Sequence, residues 1–298
     1  MGWFRKYIFP LLAVLVLLVS IGIPGAEDAP AVRGWAMPGA QFQSGESEFS
    51  SYRQSYNTGS CRTLEGTPLV VVVYLDDDVS SWSREDVLTY QDTLITPALT
   101  FMEENAACRE VELQFQKVIF ASCESPQRPV KYSGTVENFM NDNYSPDILD
   151  QVAFALGYET KEDMHLHLQQ QSGQEQISYV VMMNKGGRSY SICATKTSED
   201  DTRWDDLMEY SLIFTGFTDT SRDSASDTIA HEMLHQFGAE DYYYPAMRSL
   251  LAQMYYPTDI MLCAMSDLEY FTIEAFTAYC LGWTDTPPEV CGLPNWWR

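Results

Sequence analysis

The chain has 298 residues and a formal net charge of −24, which suits one large domain or one domain with extensions. So strong an acidic balance argues against a nucleic-acid or anionic-lipid partner, because phosphate contacts need clustered Lys and Arg. Hydrophobic residues make up 45% of the chain and aromatic residues 13%, which is enough apolar material for a packed core.

The first 26 residues differ from the rest of the chain. Arg5 and Lys6 precede an apolar run over residues 8–23, which is the layout of an export signal. A helix over this run would span about 24 Å, short of a hydrocarbon core of ~30 Å, so its length favours a cleaved signal peptide. Because Pro24 stands where cleavage prefers a small residue, an uncleaved N-terminal membrane anchor stays open. In either case we expect the domain outside the cytoplasm, secreted or anchored to the membrane.

The seven cysteines fit an oxidising compartment, and no Cys-x-x-Cys pair indicates a thiolate zinc knuckle. We favour a local disulfide between Cys280 and Cys291, which would tie down the C-terminal tail. A disulfide between Cys108 and Cys123 is a second possibility. The odd count leaves one thiol unassigned.

Residues 27–66 are rich in Gly, Ser, Ala, Gln and Glu, which indicates a flexible linker or a short pro-segment. Residues 68–75 form an unbroken apolar run typical of a buried strand. The spacing of apolar residues predicts a helix from 83 to about 107, and loose alternation predicts a strand over 111–120. We expect the main domain to span 67–285, followed by a tail over 286–298.

The later elements are predicted in the same way. They are short surface helices over 145–156 and 161–171, strands over 177–183 and 189–194 joined by a turn at 184–187, a short strand over 210–217, a helix from about 225 to 237, an aromatic loop, and a last helix over 266–281. This order describes a mixed α/β layer.

The segment from His231 to Asp241, HEMLHQFGAED, carries the most informative chemistry. On a helix its apolar side chains share one face, and His231 and His235 lie on the opposite face one turn apart. Two imidazoles at this spacing can bind a single tetrahedral zinc ion. Glu232 lies beside them, where it can act on a zinc-bound water without being a ligand.

Gly238 explains how the third ligand reaches the metal. Three residues beyond His235, it can take a left-handed conformation that ends the helix and turns the chain. Such a turn can return Asp241 to the metal. Two histidines and one carboxylate leave a fourth position for water, which is typical of a catalytic rather than a structural zinc site.

This run resembles the extended consensus H-E-x-x-H-x-x-G-x-x-(H/D) of the metzincin clan of metallopeptidases, in its Asp variant. The resemblance extends over roughly residues 68–282, but only the motif segment is specific. It implies an α+β zincin-like fold of the α/β class: a mixed twisted sheet with a long backing helix, an active-site helix that carries HExxH, and a C-terminal helix after a methionine-bearing turn. Met261 fits that turn, with Met265 as its rival, although Met261 could also be an ordinary core residue.

The resemblance implies a zinc-dependent extracytoplasmic peptidase. One catalytic Zn²⁺ would be held by His231, His235 and Asp241, with Glu232 as general base. We expect a peptide or protein substrate and a monomeric enzyme. The chain departs from the best-known subfamilies because no tyrosine directly follows the methionine turn. The candidates for an oxyanion-stabilising tyrosine, by proximity alone, are Tyr242, Tyr243 and Tyr244.

Several alternatives stay open at this stage. The third ligand could instead be Glu240, or Glu269 or Glu274 on the last predicted helix. Two further functions share the site. One is a non-catalytic zinc-containing binding or adhesion module, in which a fourth protein ligand such as Cys263 would close the metal. The other is a zinc amidase that acts on cell-wall peptides.

Other chemistry-bearing residues have simpler explanations. His165 and His167 do not share a helix face, so we expect surface histidines rather than a second zinc site. The acidic run 76–78 is explained by a turn that ends a strand, and a calcium site there is possible but not supported. Cys61 could cap the zinc as a latency thiol, but a structural disulfide is the simpler explanation.

Overall fold

The computed structural model describes residues 59–124, 127–136, 148–194, 207–216, 226–243, 246–262, 267–286 and 288. All of them belong to the compact unit that runs from Glu46 to Arg298. The predicted signal or anchor over 1–26, most of the segment 27–66 and most of the tail 286–298 lie outside the described residues. None of the described helices combines the length and apolar character needed to cross a membrane.

The centre of the fold is one five-stranded sheet with the strand order β2-β1-β3-β5-β4. The first four strands in this order are parallel, and β4 is antiparallel to β5 at the edge. The strands are β1 Leu69–Leu75, β2 Gln116–Ala121, β3 Ile177–Gly186, β4 Tyr190–Ile192 and β5 Tyr210–Gly216.

Strand β1 is buried on both faces because the sheet has a packed layer on each side. Val70, Val72 and Tyr74 enter one hydrophobic cluster, whereas Val71 and Val73 enter the other. A near-continuous β-branched sequence suits a parallel strand that is covered on both faces. The sequence prediction of a buried strand at this position is confirmed.

Two helical segments cover the face of the sheet that carries Val70, Val72 and Tyr74: a backing helix and the helix that carries the HExxH motif. A continuous segment of α1 Arg84–Tyr90, a π-helical turn Gln91–Ile95 and α2 Thr96–Ala107 forms the backing helix, and it begins with a capping box of Ser83 and Asp86. On the other face lie α3 Ile148–Leu156 and α4 Lys161–Ser172. The remaining helices are α5 Ser226–Gln236, α6 Ala246–Tyr255 and α7 Ala275–Cys280. The predicted mixed α/β fold is confirmed.

The predicted turn at 184–187 is wrong. Strand β3 continues through Gly186 and pairs in parallel with β5, with a shift of register between Met183 and Gly186. Strand β4 then pairs with the far side of β5, so that β3 and β4 are not neighbours. The Asn-Lys-Gly-Gly sequence suggested a local turn, but the long-range pairing with β5 determines where β3 ends.

The C-terminal part differs from the sequence prediction in two ways. The aromatic loop contains helix α6, and the last helix is the short α7 rather than 266–281. A 3₁₀ turn at Leu268–Tyr270 is followed by extended chain, in which Thr272 pairs through its backbone with Thr258 and Ile260. This pairing keeps residues 271–274 out of a helix. The predicted strand 111–120 also begins later, at Gln116.

The described cysteines change the disulfide predictions. Cys108 and Cys123 both carry free thiols, so the predicted bridge between them is wrong. Cys291 lies outside the described residues, and its pairing with Cys280 stays a prediction.

Cys61 and Leu64 are fully buried, which shows that residues 59–66 pack with the domain.

The acidic run that follows β1 is satisfied by protein donors. The Asp77 carboxylate is buried and accepts hydrogen bonds from Ser80, Val136 and the Lys185 ammonium group. Asp78 pairs with Lys131 at 2.8 Å. Burial alone would raise the pKa of Asp77, but these donors outweigh it and lower the pKa to about 2. This supports the strand-ending turn rather than a calcium site.

We expect Asp77→Asn to lower the free energy of unfolding by about 3 kcal/mol at neutral pH, because Lys185 loses its counter-charge in a mostly buried position. The folded pKa of Asp77 is about 2 and lies below the unfolded value of about 3.9. The stabilisation is therefore complete above pH ~4 and is lost as the pH falls towards 2. Denaturant unfolding across this pH range measures both effects.

Asp78→Asn is the matched control, because it removes a neighbouring carboxylate whose ion pair is exposed to solvent. It should leave the stability close to that of the wild type. A stability difference between wild type and Asp77→Asn that stays constant down to pH ~2 would contradict the assignment.

Candidate metal centre

Helix α5 presents two histidines to one point in space. Its apolar side chains, including Ile229, Met233 and Leu234, pack fully buried against the sheet. The opposite face carries His231 and His235, whose ring centroids lie 4.8 Å apart. The helical phase deduced from the sequence therefore places both imidazoles together.

The turn after α5 returns the chain towards these rings. Gly238 has a φ of 95°, which is in the left-handed region that favours glycine. The backbone N–H groups of Gly238 and Ala239 donate to the carbonyls of His235 and Leu234, and together they close the helix. This sharp turn brings Asp241 beside the histidines.

Three ligand atoms converge at the resulting site. Asp241 Oδ1 lies 3.1 Å from Nε2 of His231 and 3.1 Å from Nε2 of His235. One ligand atom from each of the three residues lies within 4.8 Å of the other two. Asp241 Oδ1 is buried and has no hydrogen-bond donor while both Nε2 atoms are unprotonated. A buried carboxylate oxygen without a donor is costly unless a cation satisfies it.

Backbone carbonyls fix the orientation of both rings. His231 Nδ1 lies 3.1 Å from the Ile260 carbonyl, and His235 Nδ1 lies 2.8 Å from the Ala239 carbonyl. Because a carbonyl can only accept, each Nδ1 carries the proton and each Nε2 can offer its lone pair. Hydrogen bonds of this kind orient metal-ligating histidines in proteins.

The donor set fits zinc. Two imidazole nitrogens and one carboxylate oxygen are the ligands of many catalytic zinc sites. Burial lowers the pKa of His235, but the carboxylates of Asp241 and Glu232 outweigh burial and raise the pKa to about 9. The two rings in turn hold the pKa of Asp241 below its usual range, against the effect of burial. The site therefore attracts positive charge, for which a proton and a metal ion compete.

Glu232 lies beside this cluster but does not belong to it. Its side chain is buried, and its Oε2 accepts a hydrogen bond of 2.8 Å from Ser191 Oγ. Ser191 lies on β4, and nothing in the sequence pattern singles it out as a partner of Glu232.

Met261 lies in a 3₁₀ turn, Ile260–Leu262, in which Ile260 and Met261 are buried. The Ile260 carbonyl holds His231, and the Met261 carbonyl accepts from the backbone N–H of Tyr242. Asp259 is also buried and accepts from the N–H groups of Met261 and Glu274, which fixes the turn. The turn therefore supports both ends of the motif. The rival Met265 lies outside the described residues.

The candidate tyrosines have different surroundings. Tyr242 is buried, and its hydroxyl hydrogen-bonds Thr277 Oγ1 at 2.6 Å. Tyr243 is half-exposed, stacks on His231 with ring centroids 6.3 Å apart, and hydrogen-bonds Asp241. Burial and this bond raise the pKa of Tyr243 well above its usual value. Tyr244 lies outside the described residues.

The alternative ligands do not join the cluster. Glu240, Glu269 and Glu274 are all described and none belongs to it; Glu274 accepts a hydrogen bond from Thr258 instead. Cys263 lies outside the described residues.

The second histidine pair and Cys61 also lie apart from the cluster. His165 Nδ1 lies 3.0 Å from the Tyr179 hydroxyl, and His167 is exposed. Cys61 carries a free thiol that donates to the Ile177 carbonyl, so the predicted structural disulfide is wrong and the thiol does not cap the histidines.

Neither the models of known protein families nor the curated proteins give a match to the chain. Among solved structures, a metalloproteinase-II from Bacteroides fragilis is similar with 11% identity and a TM-score of 0.35. The similarity covers 79% of this chain and 60% of that one.

We expect Asp241→Ala to lower the affinity for Zn²⁺ by ~100-fold or more, because loss of even an outer partner costs ~10–100-fold. Chelator competition and metal content after dialysis measure this loss. Glu240→Ala removes the adjacent carboxylate and should keep the affinity of the wild type. Equal zinc affinity in the Asp241 variant and the wild type would exclude Asp241 as a ligand.

Tyr243→Phe should weaken zinc binding less, by ~10-fold, because it removes only the hydrogen bond to the ligand Asp241. Tyr242→Phe is the control, since it removes a hydroxyl bonded to Thr277 in the core. That variant should lose about 1 kcal/mol of stability and no zinc affinity. The reverse pattern, measured by the same chelator competition, would place the functional hydroxyl on Tyr242.

Proposed function

We propose that this chain is a zinc-dependent peptidase that works outside the cytoplasm and hydrolyses peptide bonds with Glu232 as general base. The observation that carries the proposal is the convergence of Asp241 Oδ1 on the two Nε2 atoms. Among the described residues the cluster has three members, which is the number that catalytic zinc sites use when they keep a position for water. The extracytoplasmic part rests on the export-signal pattern of residues 1–26.

Each residue of the site has a definite task in this proposal. His231, His235 and Asp241 would hold the metal, with their orientation set by the backbone of residues 239 and 260. When bound, zinc supplies Lewis acidity that polarises a peptide carbonyl and lowers the pKa of water towards neutrality. Glu232 accepts the proton of the attacking water and then gives it to the leaving amine. Its low exposure strengthens its electrostatic interactions with the reacting groups.

A zinc amidase that acts on cell-wall peptides would use the same residues, so the substrate separates it from a peptidase. A non-catalytic zinc module would need a fourth protein ligand or an occupied cleft. The three-membered cluster among the described residues favours the catalytic reading. A digest of a denatured protein, compared with a digest of cell-wall peptides, distinguishes the two enzymes.

We expect Glu232→Ala to bind zinc like the wild type and to cleave a denatured protein ~10²–10⁴-fold more slowly, because it lacks the general base. Mass spectrometry of timed digests gives the rates, and metal analysis gives the zinc content. Glu240→Ala is the matched control and should cleave normally. Chelation should stop cleavage by the wild type, and added Zn²⁺ should restore it.

Equal cleavage by Glu232→Ala and the wild type would overturn the proposed mechanism. A wild type that binds zinc and cleaves neither denatured proteins nor cell-wall peptides would instead favour the binding module.

A further inference from the structure

We propose that Ser191 is a positioning residue that orients the carboxylate of Glu232; this inference rests on the proposed function. Ser191 lies on β4, the antiparallel edge strand of the sheet. Its Oγ lies 2.8 Å from Glu232 Oε2, 2.7 Å from the Glu232 carbonyl oxygen and 2.9 Å from Ser211 Oγ. One hydroxyl therefore contacts both the side chain and the backbone of Glu232.

The hydrogens available to this network fix its direction. Gln236 Nε2 donates to the Tyr179 carbonyl at 3.2 Å and to Ser211 Oγ at 2.7 Å. The Tyr179 carbonyl can only accept, so the amide orientation of Gln236 is determined. Ser211 Oγ accepts from Gln236 and has one hydrogen of its own, which it can donate to Ser191 Oγ. The single hydrogen of Ser191 then lies between two acceptors of Glu232, its backbone carbonyl and its Oε2.

The network is anchored in the core. Gln236 and Ser211 are fully buried, and they belong to α5 and β5, whereas Ser191 belongs to β4. The chain of bonds thus joins the motif helix to two strands of the sheet. A glutamate side chain loses much rotamer freedom when it is ordered, and a donor on a rigid strand keeps its carboxylate in one place before substrate binds.

The contacts of Glu232 distinguish a positioning role for Ser191 from simple packing of its side chain. Of the two carboxylates next to the histidines, Asp241 faces both Nε2 atoms, while Glu232 Oε2 faces a hydroxyl. Nearby Ser189 offers the contrast: its buried Oγ accepts from the Phe214 backbone N–H on β5 rather than contacting Glu232. Two serines two residues apart therefore have different partners.

The test compares three variants of the full chain with the wild type on a denatured protein substrate. Ser191→Ala should lower kcat by ~10–100-fold with KM unchanged and with a normal zinc content. Ser191→Thr keeps a hydroxyl on a strand that tolerates β-branched residues, and it should restore most of kcat. Ser189→Ala removes the side-chain hydrogen bond of a neighbouring serine that contacts β5 instead of Glu232, and it should keep the kcat of the wild type.

A second measurement reports on the contact without enzyme activity. Ser191→Ala should lower the midpoint of thermal unfolding more in the wild type than in the Glu232→Ala background, because the bond to Oε2 exists only in the former. Equal decreases in both backgrounds would show that the side chains do not interact, and they would overturn the proposal. A normal kcat for Ser191→Ala, or loss of zinc from it, would do the same.

Failure of the two proposals can be told apart. A wild type that cleaves no peptide bond ends the proposed function and the positioning role with it. An active wild type that loses cleavage in Glu232→Ala, together with a fully active Ser191→Ala, ends the positioning role alone.

Discussion

The site depends on a single electrostatic constraint: Asp241 Oδ1 is held 3.1 Å from two imidazole nitrogens, and no donor reaches it while both nitrogens are unprotonated. Such an arrangement is stable only when positive charge enters the space between the three atoms. The left-handed Gly238 contributes to it, because its turn brings the chain after α5 back to the histidines. Backbone carbonyls also accept hydrogen bonds from Nδ1 of both rings. These bonds orient each Nε2 towards the Asp241 carboxylate.

The rest of the fold holds this convergence in place. The apolar face of α5 packs on the sheet, which fixes the helix against rotation. The turn at Ile260–Leu262 contacts His231 through one carbonyl and the chain after Asp241 through another. The buried Asp259 holds that turn by accepting two N–H groups, and burial raises its pKa to about 6 despite them. The core therefore positions the residues of the site through backbone hydrogen bonds as well as through side-chain packing.

Sequence reasoning succeeded where the information was local. The buried strand β1 and the amphipathic phase of α5 can be predicted from the pattern of apolar residues over a short stretch of sequence. The return of Asp241 towards the histidines can be predicted from the turn that begins at Gly238. The sequence prediction was wrong where long-range strand pairing determines the structure. Strand β3 extends beyond its predicted turn because it pairs with β5. Residues 271–274 are extended because Thr272 pairs with the chain near Thr258. The contact between Ser191 and Glu232 spans 41 positions and leaves no periodic signal in the sequence.

The site therefore combines a local interaction, among the three candidate ligands, with a long-range interaction between Glu232 and the edge of the sheet. The candidate ligands lie within eleven consecutive residues, so their convergence is encoded by one helix and one turn. The orientation of Glu232 instead requires β4 and β5 to be paired, and both strands are distant in sequence from the motif. In the proposed mechanism, metal affinity and the geometry of proton transfer can therefore vary independently, since a change in the edge strand alters the second without touching a candidate ligand. A motif match alone would describe only the first of these properties.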